Sequence, residues 1–160
     1  MNKKFIKKTS IIIMILSMFM LGIILLVDWF LISANASDTY GDLTNVEYVR
    51  NYDGDTITVN IKSIHPLIGS YIGIRINGID TPEVKSQCQK EKVLAHSAKI
   101  FIEDILKDSK NITLKNVNRD KYFRILADVY VDGVNLSDLL IINGMAVPYS
   151  GGTKIDWCKE

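Results

Sequence analysis

The chain has few of the residues that often decide a fold or a chemistry by themselves. Its 160 residues include two cysteines, three prolines and two histidines. Cys88 and Cys158 stand about 70 residues apart, too few and too distant to hold a zinc ion with protein ligands alone. As an even pair they suggest one disulfide in an oxidising compartment, the alternative being two unrelated thiols. His65 reads as a loop residue and His96 as a solvated helix residue. Neither stands in a pattern that would activate a serine or cysteine, which argues against covalent nucleophilic catalysis. Excess positive charge is also missing. Residues 1–36 hold four lysines and one aspartate, and the remainder keeps 15 basic and 17 acidic residues, a net charge of −2. Such a domain has no global field that gathers nucleic acid, so any polyanion must be held by a few local cations or a bound metal.

Apolar residues, by contrast, crowd the start. Four lysines lie within Met1–Lys8, Ile11–Val27 runs 17 residues without a charge, and Ala34-Asn35-Ala36 comes next. A positive start, an apolar middle and an A-x-A exit are the parts of a secretory signal. Counted over residues 11–32, the apolar segment also approaches the roughly 20 residues that span a bilayer. Residues 1–36 are thus expected to be a signal peptide cleaved after Ala36 or an N-terminal membrane anchor. Both readings export residues 37–160, to the periplasm or the medium, because the lysines stay inside. Residues 37–43 read as a linker and 44–160 as the folded domain, with no obligate protein partner implied.

Within that domain, Ile57, Val59 and Ile61 alternate with Thr56, Thr58 and Asn60, the period of a half-buried strand. Asp53-Gly54 precedes it as a turn, predicting a hairpin of Glu47–Asn51 with Thr56–Lys62. Ile72–Ile76 reads as a third strand, reached through a loop SIHPLIGS. Gln89–Lys107 has helical spacing, with Leu94, Ala98, Phe101 and Ile105 on its apolar side. Strands at Ile112–Val117 and Tyr122–Val131 come after it, the latter with Phe123, Ile125, Ala127, Val129 and Val131 on one face. Leu136–Asn143 is expected as a short helix. The order β-β-β-α-β-β-α suits an α+β, mainly β domain: an OB-type barrel of five strands with two to three helices.

Three stretches can carry chemistry: DGDT from Asp53, RINGIDTPE from Arg75 to Glu83, and DKYFR from Asp120 to Arg124. Singly they are a hairpin turn, a surface strand and a loop. Jointly they are more specific. Asp55 and Asp80, each beside a chain reversal, can with a backbone carbonyl supply hard oxygen ligands to Ca²⁺. Glu83 can take a proton from an attacking water. Arg75 and Arg124 can fork onto phosphate oxygens and stabilise charge in a five-coordinate transition state, a planar task that lysine performs less well.

At these residues the chain resembles the staphylococcal nuclease-like (thermonuclease) family. The resemblance runs from about Tyr48 to Tyr149 through DGDT, RINGIDTPE, the Glu91–Ala95 helical pattern, DKYFRILADV and GMAVPY. It implies an OB-fold nuclease that hydrolyses DNA and RNA with Ca²⁺. Asp55 and Asp80 match the carboxylate ligands, Thr81 the carbonyl ligand, Glu83 the general base, and Arg75 and Arg124 the phosphate-binding arginines. Lys121 and Tyr122 match groups at a neighbouring substrate phosphate, and Asp53 an acid outside the metal's immediate ligands. Two departures stand out. Phe123 replaces a glycine common before the second arginine, and the chain ends SGGTKIDWCKE where the family has a long helix. The alternative function is a non-catalytic OB module that binds nucleic acid at the cell envelope. A membrane-tethered structural or partner-binding protein is a third.

Overall fold

A computed structural model of the chain describes residues 14–27 and 40–159. It comprises two units, Met1–Asp38 and Thr39–Glu160. In the first, residues 14–27 form a helix, α1, whose side chains are almost all exposed. No helix among the described residues is long and apolar enough to cross a membrane. The lysine-rich start, the Ala34–Ala36 exit, the ends of the 11–32 run and linker positions 37–39 lie outside the described residues.

The second unit runs β1 (Leu43–Asn51), β2 (Thr56–Ile61), α2 (Pro66–Gly69), β3 (Ile72–Ile76), β4 (Ile79–Asp80), α3 (Gln89–Asp108), β5 (Ile112–Arg119), β6 (Ile125–Val131), β7 (Val134–Asn135), α4 (Leu136–Ile142) and β8 (Val147–Pro148). In β2 the alternation does what its period requires, burying Ile57, Val59 and Ile61 and leaving Thr56, Thr58 and Asn60 half-buried. Antiparallel pairing links β3 to β2, β2 to β1, β1 to β5 and β5 to β6. A parallel pairing of β3 with β6 (Ile74 with Ile125, Arg75 with Leu126, Ile76 with Ala127) then shuts the sheet into a five-stranded barrel. Closure removes the free edges that an open sheet would present. Ile57, Val59, Ile74, Leu114, Ala127 and Val129 are fully buried in its core. Each branched side chain there contributes about 1.5–3 kcal/mol on leaving water.

Four local expectations are corrected. The loop SIHPLIGS contains a helical turn, because His65 Nδ1 accepts the Leu67 N–H at 3.2 Å and Pro66 starts it. The most buried stripe of α3 is Ala95, Ala98, Ile102 and Leu106, while Leu94, Phe101 and Ile105 flank it half-buried. Small residues at 95 and 98 let the helix approach the barrel more closely than Leu94 would. Strand β1 begins at Leu43, inside the expected linker, pairing there with Leu114. Strand β6 begins at Ile125, three residues late. The Asp120 carboxylate accepts the N–H groups of Tyr122 (2.8 Å) and Arg124 (3.0 Å), folding 120–124 into a turn. Phe123 consequently has a left-handed φ of 63° and is 79% exposed, off the core face it was expected to share.

Candidate active site

The turn between β1 and β2 is fixed by its own hydrogen bonds. Asp53 Oδ1 accepts the Asp55 N–H at 3.1 Å, and Tyr52 N–H donates to Thr56 O at 2.9 Å. Asn51 Nδ2 donates to Asp53 O at 3.1 Å and to Lys99 O of α3 at 2.9 Å. Gly54 is required here for space. A Cβ on it would stand 3.0 Å from Ala98 Cβ and from Thr81 Cβ, tighter than ordinary contact. That close approach sets the buried Thr81 against the turn that carries Asp55.

Asp55 is itself buried and meets Arg75, whose Nη1 lies 2.9 Å from Oδ2. Burial pushes the Asp55 carboxyl up to about 6. The Arg75 charge pulls against that rise and the Asp53 charge adds to it. Arg75, buried on β3, also donates through Nη1 to the Ile76 carbonyl (3.0 Å) and through Nη2 to the Ile79 carbonyl (2.8 Å). One guanidinium therefore ties the β1–β2 turn to β3 and β4.

The two-residue β4 was not legible in the sequence, yet it places Asp80. It pairs with β8, Ile79 opposite Pro148 and Asp80 opposite Val147. Asp80 is 1% exposed, and neither carboxylate oxygen has a directed hydrogen bond. Its countercharge is the ammonium of Lys154, 2.8 Å from Oδ1, a contact with the geometry of an ion pair. The same ammonium donates to Glu83 Oε1 at 2.7 Å. Burial works to lower the Lys154 pKa, but the Asp80 and Glu83 carboxylates carry it well above the ordinary lysine value. Glu83 is exposed, and its backbone N–H is held by Glu91 Oε1 of α3 at 2.9 Å.

Lys154 was missed in the sequence. The available signal was its place four residues before Cys158, with Glu83 five residues before Cys88. Those cysteines are bonded, with Cα atoms 6.1 Å apart, so the two flanking segments must meet. Glu91 was seen only as a helix residue, although its carboxylate also accepts from Ser86 Oγ and fixes the loop bearing Glu83.

Arg124 stands apart from these pairs. Its Nε donates to Asp120 Oδ2 at 2.7 Å, and its guanidinium lies 5.7 Å from the centre of the Tyr122 ring. Asp55, Arg75, Glu83, Lys121, Tyr122 and Arg124 nevertheless line one cleft of about 860 Å³, together with Lys154. Asp80 and Thr81 are not in its lining; they are buried behind Lys154 and Gly54 respectively. The expected residues thus converge on one region, with Arg124 reaching the cleft from the Asp120 turn and paired with Asp120 rather than with Asp55, Asp80 or Glu83.

The donor set fits a hard divalent cation. Asp55 and Asp80 are buried carboxylates, the Asp80 oxygens lack hydrogen bonds, and the Thr81 backbone is adjacent. Oxygen donors of this kind suit Ca²⁺. Cys88, Glu91 and Cys158 also cluster, but both sulfurs are in the disulfide and no thiolate is there to ligate.

Residues 73–156 match the family model described as staphylococcal nuclease homologue. The chain is similar to an uncharacterized protein of Bacillus anthracis, 34% identical over 98 residues, 59% of this chain and 42% of that one. It is also similar to the SPbeta prophage-derived endonuclease YokF of Bacillus subtilis, 34% identical over 116 residues, 66% of this chain and 34% of that protein. Endonuclease YncB of the same organism is 34% identical over 115 residues, 65% of this chain and 47% of its own length. The chain spans less than half the length of each of these relatives.

Proposed function

Because the chain belongs to the staphylococcal nuclease homologue family, we propose that it is an exported, Ca²⁺-dependent nuclease acting on DNA and RNA. The observation that carries the reading is the convergence of Asp55, Arg75, Glu83 and Arg124 on a single cleft from three separate stretches of the chain. Relatives named as endonucleases support cleavage within strands. The lysine-led apolar leader and the Cys88–Cys158 disulfide support an oxidising compartment outside the cytoplasm.

Asp55, Asp80 and the Thr81 carbonyl hold the cation in this reading. Bound there, Ca²⁺ would supply positive charge that offsets the negative charge of a phosphodiester. Glu83, exposed at the cleft, accepts a proton from the attacking water. Arg75 enters with its orientation already fixed by the Ile76 and Ile79 carbonyls, and Arg124 completes the pair of forks on the phosphate oxygens. Lys121 and Tyr122 receive a neighbouring phosphate. A binding module without catalysis would need no proton acceptor, and the net charge of −2 outside residues 1–36 gives it little purchase on a polyanion.

Digestion of single-stranded DNA with Ca²⁺, and with a chelator as control, tests this. The native chain digests with the ion and not with the chelator. Glu83→Gln, which leaves the exposed loop's fold intact, loses roughly 10²–10⁴-fold in turnover. Unchanged turnover in that variant removes Glu83 from its role, and inactivity of the native chain leaves the binding module standing.

A further inference from the structure

The segment after β8 forms one wall of the cleft, through Tyr149, Ser150, Gly151, Gly152 and Lys154. It is fastened at both ends. Tyr149 N–H donates to Gly78 O at 2.8 Å, and Cys158 is bonded to Cys88 beside the buried Trp157. Between the fastenings, Gly151 and Gly152 take φ values of +104° and +96°, a backbone that glycine alone adopts without strain. Tyr149 Oη donates to Gly152 O at 2.9 Å and holds that bend. The result is a strap that turns Lys154 back onto Asp80 and Glu83, with its side chain still partly open to solvent.

Asp80 is the most deeply buried of the acids in this region, and Lys154 is its countercharge among the described residues. An ammonium 2.8 Å from Asp80 Oδ1 repels a divalent ion that takes up the same buried carboxylate, because little bulk water is there to screen the two charges. We propose that Lys154 is a built-in competitor for the divalent cation: its ammonium sits on Asp80, the cation must displace it, and the disulfide-anchored strap keeps it in place. This rests on the reading of Asp80 as a cation ligand. The competitor lowers the affinity of the site by the worth of one charged contact, about ten- to a hundred-fold. The site then fills only where free calcium is high, as in modules that work near millimolar concentrations outside cells.

The test uses the full-length chain in mild detergent, with Lys154→Met and Lys154→Gln beside the native protein. Ca²⁺ binding is measured by titration calorimetry, and melting temperature is followed with chelator and with saturating Ca²⁺. Both variants are expected to bind Ca²⁺ about ten- to a hundred-fold more tightly. In chelator they melt below the native chain, Lys154→Met furthest because it leaves Asp80 with neither a countercharge nor a polar partner, and Ca²⁺ closes that gap. Lys154→Gln keeps the experiment decisive if the methionine variant does not fold. Native-like or weaker affinity in the variants overturns the competitor while leaving Asp80 as a ligand. Failure of every chain to bind Ca²⁺ overturns the ligand reading and the competitor with it.

Discussion

Arg75→Lys keeps the charge and discards the fork, which makes it a sharp probe of the site. The native guanidinium contacts Asp55 Oδ2 at 2.9 Å through Nη1 and the Ile79 carbonyl at 2.8 Å through Nη2, and it also bonds Ile76 O. A lysine ammonium is a single point and cannot serve the carboxylate and the Ile79 carbonyl with the same geometry. Losing one charged hydrogen bond in a buried setting costs about 1.5–3 kcal/mol. Arg75 is 8% exposed, so water offers little substitute. The expected destabilisation is therefore about 1.5–3 kcal/mol, which at a urea m-value of ~1–3 kcal/mol/M moves the midpoint down by about 0.5–3 M. Turnover on single-stranded DNA should fall by roughly 10²-fold or more, since a preorganised donor at the developing charge is lost. Urea denaturation followed by circular dichroism, with the digestion assay alongside, reads both effects. A midpoint shift below about 0.3 M, or activity within about tenfold of native, would refute the claim that the fork is what this position requires.

Phe123→Gly should stabilise the chain by about 0.5–1 kcal/mol in thermal or urea melts. It relieves a left-handed φ costing about 1–2 kcal/mol and gives back part of that as unfolded-state entropy, while the ring, 79% exposed, surrenders little burial; a destabilised variant would show that Phe123 makes a contact worth more than its strain. Asp55 supplies a pH test in chelator. Its folded-state pKa is raised from 3.8 to about 6, so the folded protein keeps a proton that the unfolded chain has released, and stability present below about pH 4 is lost as pH rises through about 6. Measured against Asp55→Asn, the native chain should lose up to ~3 kcal/mol between about pH 4 and 7. A flat or rising difference would mean that Arg75, not burial, governs this carboxyl.

The barrel strands could be read because their periods are local: the alternation in β2 and β3 marks the isoleucines and valine that fill the core, although Arg75, on the opposite face of β3, is buried as well. The acids and arginines could be found because their chemistry is unusual at that spacing. What stayed hidden depended on contacts distant in the chain. Two-residue β4 exists only because β8 arrives beside it, and no period can be seen in two residues. Phe123 looked like an inner strand residue until the Asp120 carboxylate claimed the neighbouring N–H groups. Lys154, in a glycine-rich tail, carries no pattern; its meaning comes from the disulfide that folds the tail back.

The seam of the barrel has a consequence for when the cleft comes into being. Arg75 and the start of β6 just beyond Arg124 are neighbours only through the parallel β3–β6 pairing, between residues some 50 positions apart. Contacts so remote in sequence form slowly and cooperatively. A chain that has not yet folded holds its arginines and acids on unconnected loops. On the proposed nuclease reading, such a chain is inert until β3 and β6 pair, so activity and completed folding arrive in the same step.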